Sequence, residues 1–243
     1  MDTFDFQWSE WKKHSSISPS HFQSLVTDFL SRMNLCSDFF SNKTILDAGC
    51  GIGRYTLASA MLGAHVVAID LVNSGIHQTR QFTKKLPNVD CVQGDLLHSP
   101  FKFESFDFVF SVGVLHHSPN PQAAFERIAR LVRRDGLLYI WVYRKRSPLL
   151  ETMNVFLRTF TARLPLRFLY ALSFLLIPFA SVIVGYKLGV HGTFDWCAPK
   201  YQHHFTEQEV LNWYEKMGFK EVKLVIYNKF KKCGFGVIGH KSP

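Results

Sequence analysis

The chain has 243 residues, 47% hydrophobic and 19% charged, which is apolar enough to bury a core and too apolar for an extended disordered protein. At this length one domain with an elaboration is expected, not a string of domains. The net charge of +9 admits an anionic partner, while five scattered cysteines with no C-x-x-C pair exclude a disulfide framework and a cysteine-rich zinc site. A reducing, cytoplasmic compartment fits that cysteine usage.

The opening MDTFDFQWSEWKKH has acids and aromatics ahead of any apolar run, against the pattern of a cleaved signal peptide. Aromatics on a loose tail would find no packing partner, so FDFQW (4 to 8) and Trp11 are expected to fold over the site as a lid. HFQSLVTDFLSRM (21 to 33) has apolar residues at helical spacing. TILDAG (44 to 49) then reads as a strand entering a glycine turn, and 54 to 62 as a helix. HVVAID (65 to 70) is a second strand, 73 to about 85 a polar helix, VDCVQGD (89 to 95) a third strand and FDFVFSVG (106 to 113) a fourth. Asn120 to Val132 forms a helix with Pro121 at its first position, and GLLYIWVY (136 to 143) a fifth strand. From Thr206 a capped helix runs to the Gly218 stop. EVKLVIYN (221 to 228) and FGVIGH (235 to 240), joined by the short Lys229 to Cys233 connection, form an antiparallel hairpin at the sheet's edge.

Continuous apolar strands alternating with helices are the mark of a parallel sheet covered on both faces, whose ligands collect beyond the carboxyl ends of the strands. The residues at those ends are therefore the candidates. Gly49, Gly51 and Gly53, with Cys50 between the first two, permit a tight turn and close backbone approach to a ligand. Asp70 closes the second strand 21 residues after Gly49, placed to accept hydrogen bonds from ribose hydroxyls. Asp95 closes the third, placed to receive an adenine amino group, with Leu71 and Leu96 flanking the ring. The turn is not a P-loop, because no G-K-[ST] follows, and Arg54 stands where a dinucleotide fingerprint has its third glycine.

The set LDAGCGIGR, AID, QGDLLHSPF and FDFVFSVGVLHHSPNPQAAFERIARLVRRDGLLYIWVY resembles a class I S-adenosylmethionine-dependent methyltransferase of the small-molecule type. The resemblance covers residues 44 to 143 closely and extends through YQHHFTEQEVLNWYEKMGF. It implies a Rossmann-like, seven-stranded, mostly parallel α/β sheet flanked by helices, with a helical insertion after the fifth strand. It also implies S-adenosyl-L-methionine as cofactor, with Asp47 orienting the glycine loop and the methionine ammonium group, and the backbone near Ser111 and Gly113 touching the methionine part. Members that methylate base amino groups carry [DNS]-P-P-[YFW] after the fourth strand. Here that place reads SVGVLHH, which disfavours a nucleic-acid substrate. A nicotinamide-dependent oxidoreductase and a noncatalytic cofactor-binding module are the competing readings.

The sulfonium methyl is already activated, so the protein must chiefly align the nucleophile and, where needed, remove its proton. His117, and beside it His116, are the candidate bases, their imidazoles being suited to work near neutrality. Trp196, Tyr201 and His204, in WCAPKYQHHF, are candidates for lining the acceptor pocket. No metal site is expected. Residues 141 to 190 carry seven basic residues against the single acid Glu151, and Phe168 to Gly185 has no charge. This insertion is expected to be two or three helices broken at Pro165 and Pro178, forming a cap over the acceptor side or a dimer surface. An interfacial membrane element is the second reading and a true span the third. The chain divides accordingly into an N-terminal lid and helix (1–40), the cofactor-binding core (41–147), the insertion (148–195) and the C-terminal helix and strands (196–243). A small or lipid-like acceptor, taken by a monomer or homodimer with peripheral membrane contact open, completes the expectation.

Overall fold

The computed structural model describes residues 3–12, 19–161, 163–184, 190–226 and 233–242. Five strands, β1 (Thr44–Ala48), β2 (His65–Asp70), β3 (Val89–Gln93), β4 (Phe106–Val112) and β5 (Val132–Tyr143), pair in parallel. β6 (Phe219–Val225) and β7 (Gly234–Lys241) complete a seven-stranded sheet of order β3-β2-β1-β4-β5-β7-β6. β7 runs antiparallel to both β5 and β6. The expected mostly parallel, Rossmann-like sheet is the sheet found. The hairpin enters it by its last strand, so β6 forms the edge.

Before β1 come α1 (Thr3–Lys12) and α2 (Pro19–Met33). α3 (Arg54–Met61), α4 (Asn73–Thr83) and α5 (Pro121–Leu131) alternate with the strands. The strand period of two divides the core between the faces of the sheet. Ile45, Phe108 and Phe110 join Phe29, Met33 and Phe40 on the α2 side, while Leu46, Val109 and Leu138 meet Phe125 and Ile128 of α5 on the other. The Asn120 side chain accepts from the Ala123 amide to start α5, with Pro121 in the first turn. After β5 the insertion forms α6 (Pro148–Thr161), α7 (Leu166–Val184) and α8 (Val190–Cys197). The chain then returns through α9 (Glu207–Lys216), opened by a Thr206–Glu209 capping box.

Three expectations need adjustment. Residues 3–12 form a helix where only a lid of aromatics was foreseen. The break falls at Pro165 but not at Pro178, through which α7 continues; a proline forfeits one backbone donor, and α7 is held in its first half by buried Leu169, Tyr170 and Ser173. β5 begins at Val132, four residues early. The part of the expected hairpin beyond Ile226, including most of the Lys229 to Cys233 connection, lies outside the described residues.

Candidate active site

The carboxyl ends of β1 to β4 converge on a cavity of about 490 Å³, a volume in the range that holds a cofactor-sized molecule. Asp47, Gly49, Cys50, Gly51, Asp70, Leu71, Asp95, Leu96 and Gly113 line it from the strand ends, and His117 and Tyr201 from the other side. Gly53, Ser111, His116 and His204 are not among its lining residues.

The turn after β1 takes a path that side chains resist. Gly49, Gly51 and Gly53 have φ of 91°, 54° and 79°, in the left-handed region. A Cβ on Gly49 would run into Val114, and one on Gly53 would sit 2.7 Å from the Thr79 side chain of α4. Gly53 shapes the turn from behind the cavity, as the residue ahead of α3.

Asp70 is held by the same turn. Its two oxygens accept from the Gly51 amide at 2.7 Å and the Val72 amide at 3.0 Å, so the carboxylate fixes the glycine loop and keeps further lone pairs for a ligand's hydroxyls. Asp47 is buried, and desolvation pushes its carboxyl up to about 7 although the Thr56 hydroxyl donates to it at 2.6 Å; the nearby Asp70 adds to the rise. Asp95 accepts from the Leu97 amide at 2.9 Å and lies 3.0 Å from His98 Nδ1, capping the short turn Leu96–His98. Ser111 is fully buried and donates to the Ala48 carbonyl at 2.7 Å, a bond that ties β4 to β1.

At the other end His117 meets the insertion. A backbone carbonyl can only accept, so the 3.0 Å contact with Tyr201 O makes Nδ1 the protonated nitrogen. Nε2 then faces Asp195 Oδ1 at 3.5 Å. Asp195, on α8, also accepts from the Tyr143 hydroxyl at the end of β5. Burial opposes its charge, but His117, Tyr143 and Arg158 together hold its carboxyl below the usual range. Spacing gave no hint of Asp195, although it is the only acid between Glu151 and Glu207.

Its neighbour His116 is fully buried, stacked on Tyr143 with ring centroids 3.8 Å apart, and neither ring nitrogen has a hydrogen-bond partner among the described residues. Burial, reinforced by the surrounding histidines, drives its pKa well down and keeps the ring neutral. His204 pairs with Glu151 of α6 at 2.7 Å and clips the insertion to the core. The segment before α9 is held along β5 by the Phe205 amide on Tyr143 O and by the His203 amide on His116 O, which positions Tyr201. The side chains of Trp196 and Trp11 lie outside the described residues.

Helix α1 closes the cavity. Trp8 lies against Gly51, where an added Cβ would stand 3.2 Å from its ring, and its carbonyl accepts from Gln78 of α4 at 2.6 Å. Phe4 packs edge-on against His117, at 4.9 Å between centroids. Phe6 is buried among Leu169, Tyr170 and Phe194 of the insertion. One helix thus touches the glycine turn, the candidate base and the insertion, although no described residue of the insertion lines the cavity.

An open sheet of this kind binds ligands beyond the carboxyl ends of its strands, and here a glycine turn after β1 and acids at the ends of β1, β2 and β3 suit that crevice to a nucleoside. Residues 46–140 match the family model of the methyltransferase domain. The ubiquinone biosynthesis O-methyltransferase of Glaesserella parasuis serovar 5 is 30% identical over 136 residues, 54% of this chain and 57% of that protein. The sterol 24-C-methyltransferase of Pneumocystis carinii is 29% identical over 106 residues, 41% of this chain and 28% of that protein. Just over half of the first relative's length is therefore matched, and under a third of the second's. The magnesium protoporphyrin IX methyltransferase of Synechocystis PCC 6803, solved with S-adenosylhomocysteine, shares the fold. Its TM-score is 0.59 at 16% identity, covering 97% of this chain and 93% of that one.

Over residues 46–140 the chain is similar to methyltransferase domains, and its fold is shared with a protein solved with S-adenosylhomocysteine. The residues present fit S-adenosylmethionine, the cofactor that the sequence resemblance implies. The glycine turn leaves its backbone bare, the Asp70 carboxylate is held at the β2 end, and buried Asp47 is an acid whose charge an ammonium group would restore.

Proposed function

We propose that the chain transfers the methyl group of S-adenosylmethionine to a small, apolar or lipid-like acceptor, with oxygen the preferred acceptor atom. One observation carries this reading: the cavity that holds the three strand-end acids also holds His117, which is backed by Asp195. The names of the matched ubiquinone and sterol enzymes support an apolar acceptor, as do Phe4, Val114 and Leu115 in the lining.

When bound, the cofactor supplies a methyl group already activated on a sulfonium centre. Asp70 would hold the ribose hydroxyls, Asp95 the adenine edge between Leu71 and Leu96, and Asp47 the ammonium. His117 would take the acceptor's proton at Nε2, because Nδ1 keeps its hydrogen on Tyr201 O; Asp195 Oδ1 faces the same Nε2 at 3.5 Å, so the acceptor would reach that nitrogen by moving the carboxylate aside. Asp195 would steady the imidazolium so formed. Phe4, Trp8 and the rest of α1 exclude water from the transfer. His116, neutral and buried, would support Tyr143 instead of acting on the acceptor.

Two measurements test the reading. Calorimetry should show binding of S-adenosylhomocysteine and none of NAD. Turnover of radiolabelled S-adenosylmethionine against apolar phenols and carboxylates should exceed turnover against amines and nucleosides. Binding of NAD alone, or cofactor binding with no turnover on any of these classes, would overturn it.

A further inference from the structure

The outward faces of α6 and α7 are the least explained surface of the molecule. Leu149, Phe156 and Phe160 on α6, and Phe168, Phe174 and Leu175 on α7, are each between 53% and 78% exposed. Leu149, Phe156 and Phe160 fall at helical spacing along one side of α6, with Val155 and Leu157 exposed to either side, and the three on α7 span a broader arc. The inner sides are anchored to the body. Leu169 and Tyr170 pack with Phe6 and Phe194, Thr161 donates to the Cys197 carbonyl at 3.0 Å, and Glu151 holds His204. These helices are thus fixed, and their apolar sides stay in water. Soluble surfaces seldom carry so many large apolar groups without a partner.

Charge identifies the partner. Glu151 is the only acid from Gly136 to Phe194, and it turns inward to His204. Arg163 and Arg167, by contrast, are exposed, between α6 and α7 and at the start of α7, while exposed Lys145 lies near Glu209 of α9. The outer surface of α6 and α7 therefore combines exposed phenylalanines and leucines with cations, and these two helices add no outward acid of their own; Glu10 of α1 lies near Tyr170 of α7. A second copy of the chain would bring like charges together across a two-fold contact. An anionic bilayer meets both requirements, because acyl chains accept the apolar groups and headgroups accept the cations. Among the described residues no helix is long and apolar enough to cross a membrane, so contact along the surface is the geometry left to these helices.

We infer that the outer faces of α6 and α7 dock the protein on an anionic lipid surface. The docking stands on these exposed faces and not on the methyl-transfer reading. Should that reading hold as well, α7, which carries part of this face, also seats Phe6 of α1, the helix that closes the cavity.

Flotation of the full chain should be compared on vesicles of phosphatidylcholine alone and of phosphatidylcholine with roughly a third phosphatidylglycerol, a surface that attracts basic segments. Binding to the anionic vesicles is expected to be at least ~10-fold tighter and to fall as salt rises, because screening shortens the reach of exposed charge. The pair Phe156→Glu and Phe160→Glu should abolish flotation. Arg163→Gln with Arg167→Gln should weaken it on anionic vesicles only, and Lys220→Gln on β6 should leave it unchanged. Unaltered thermal unfolding midpoints show that the variants fold. The inference fails if the parent chain floats with neither vesicle or if the phenylalanine pair still floats. It also fails if sedimentation shows a lipid-free dimer that the phenylalanine substitutions dissociate, since the face would then belong to a second copy. Loss of cofactor binding in calorimetry would count against the methyl-transfer reading alone.

Discussion

On the cofactor side of the cavity the polar groups come from four consecutive strand ends, within a stretch of 67 residues from Asp47 to Gly113, and each is locked by a bond to backbone or to a neighbouring helix. On the acceptor side, His117, Tyr143, Asp195 and Tyr201 come from separate segments, and Phe4 is added from the chain's beginning. The first arrangement is local and repetitive, so it holds one kind of molecule. The second depends on the insertion and α1 being in place together, so on the proposed function exchanging those pieces is expected to change the acceptor without disturbing the cofactor. Functions grafted onto a shared fold are how one architecture serves many substrates.

The sharpest break between the two sides should come from Gly51→Val. A branched side chain at φ 54°, already 3.2 Å from Trp8 at its Cβ, both strains the turn and fills the cleft. Binding of S-adenosylhomocysteine should fall below detection in calorimetry, and intact affinity would mean that the loop does not touch the cofactor. On the acceptor side His117→Gln should lower turnover by ~10²–10⁴-fold, the usual span for positioned proton transfer, and leave cofactor affinity unchanged. Equal losses of affinity and turnover would remove the distinction between the sides. Asp70→Ala deletes the partner of the Gly51 amide as well as the ribose contacts. A loss of ~1.5–3 kcal/mol, the value of a hydrogen bond to a charged group, makes binding roughly 10- to 150-fold weaker; an unchanged dissociation constant would dismiss the ribose role.

The remaining prediction concerns Asp47 and is read in stability instead of ligand binding. Its carboxyl is raised from 3.8 to about 7 by burial, so between those values the folded chain without cofactor holds a proton that the unfolded chain releases. Stability from this group is accordingly present at low pH and lost as pH rises through that window. Asp47→Asn does not titrate, so its unfolding midpoint should gain on the parent's as pH increases from about 4 to 7, where one pKa unit corresponds to ~1.4 kcal/mol. A constant gap between the two curves would show that the folded chain keeps Asp47 charged.

Both the sheet and its cofactor-facing edge were legible because they depend on short-range patterns. The strand period of two assigns Phe108 and Val109 of β4 to opposite faces before any tertiary contact is known. A glycine turn followed 21 residues after Gly49 by a strand-ending acid places Asp70 beside it. Ser111, His116 and His204 show the limit of such patterns. All three have site-like chemistry, but a bond to Ala48, a stack on Tyr143 and a pairing with Glu151 keep them out of the cavity lining, and none of those partners is adjacent in sequence. Helix α1 is similar: its aromatics suggested a lid, and its seat was decided by Gln78, Ser74 and the insertion's core.

By itself, then, the amino-acid order determined the strands, the turn and the acids at their ends, since backbone conformation and residue period act over a few residues. The direction of His117, its pairing with Asp195 and the exposure of the apolar sides of α6 and α7 were decided only by tertiary structure. They depend on which distant segments meet, and on how far the inner sides of the inserted helices are consumed in packing before the outer sides are left to the solvent.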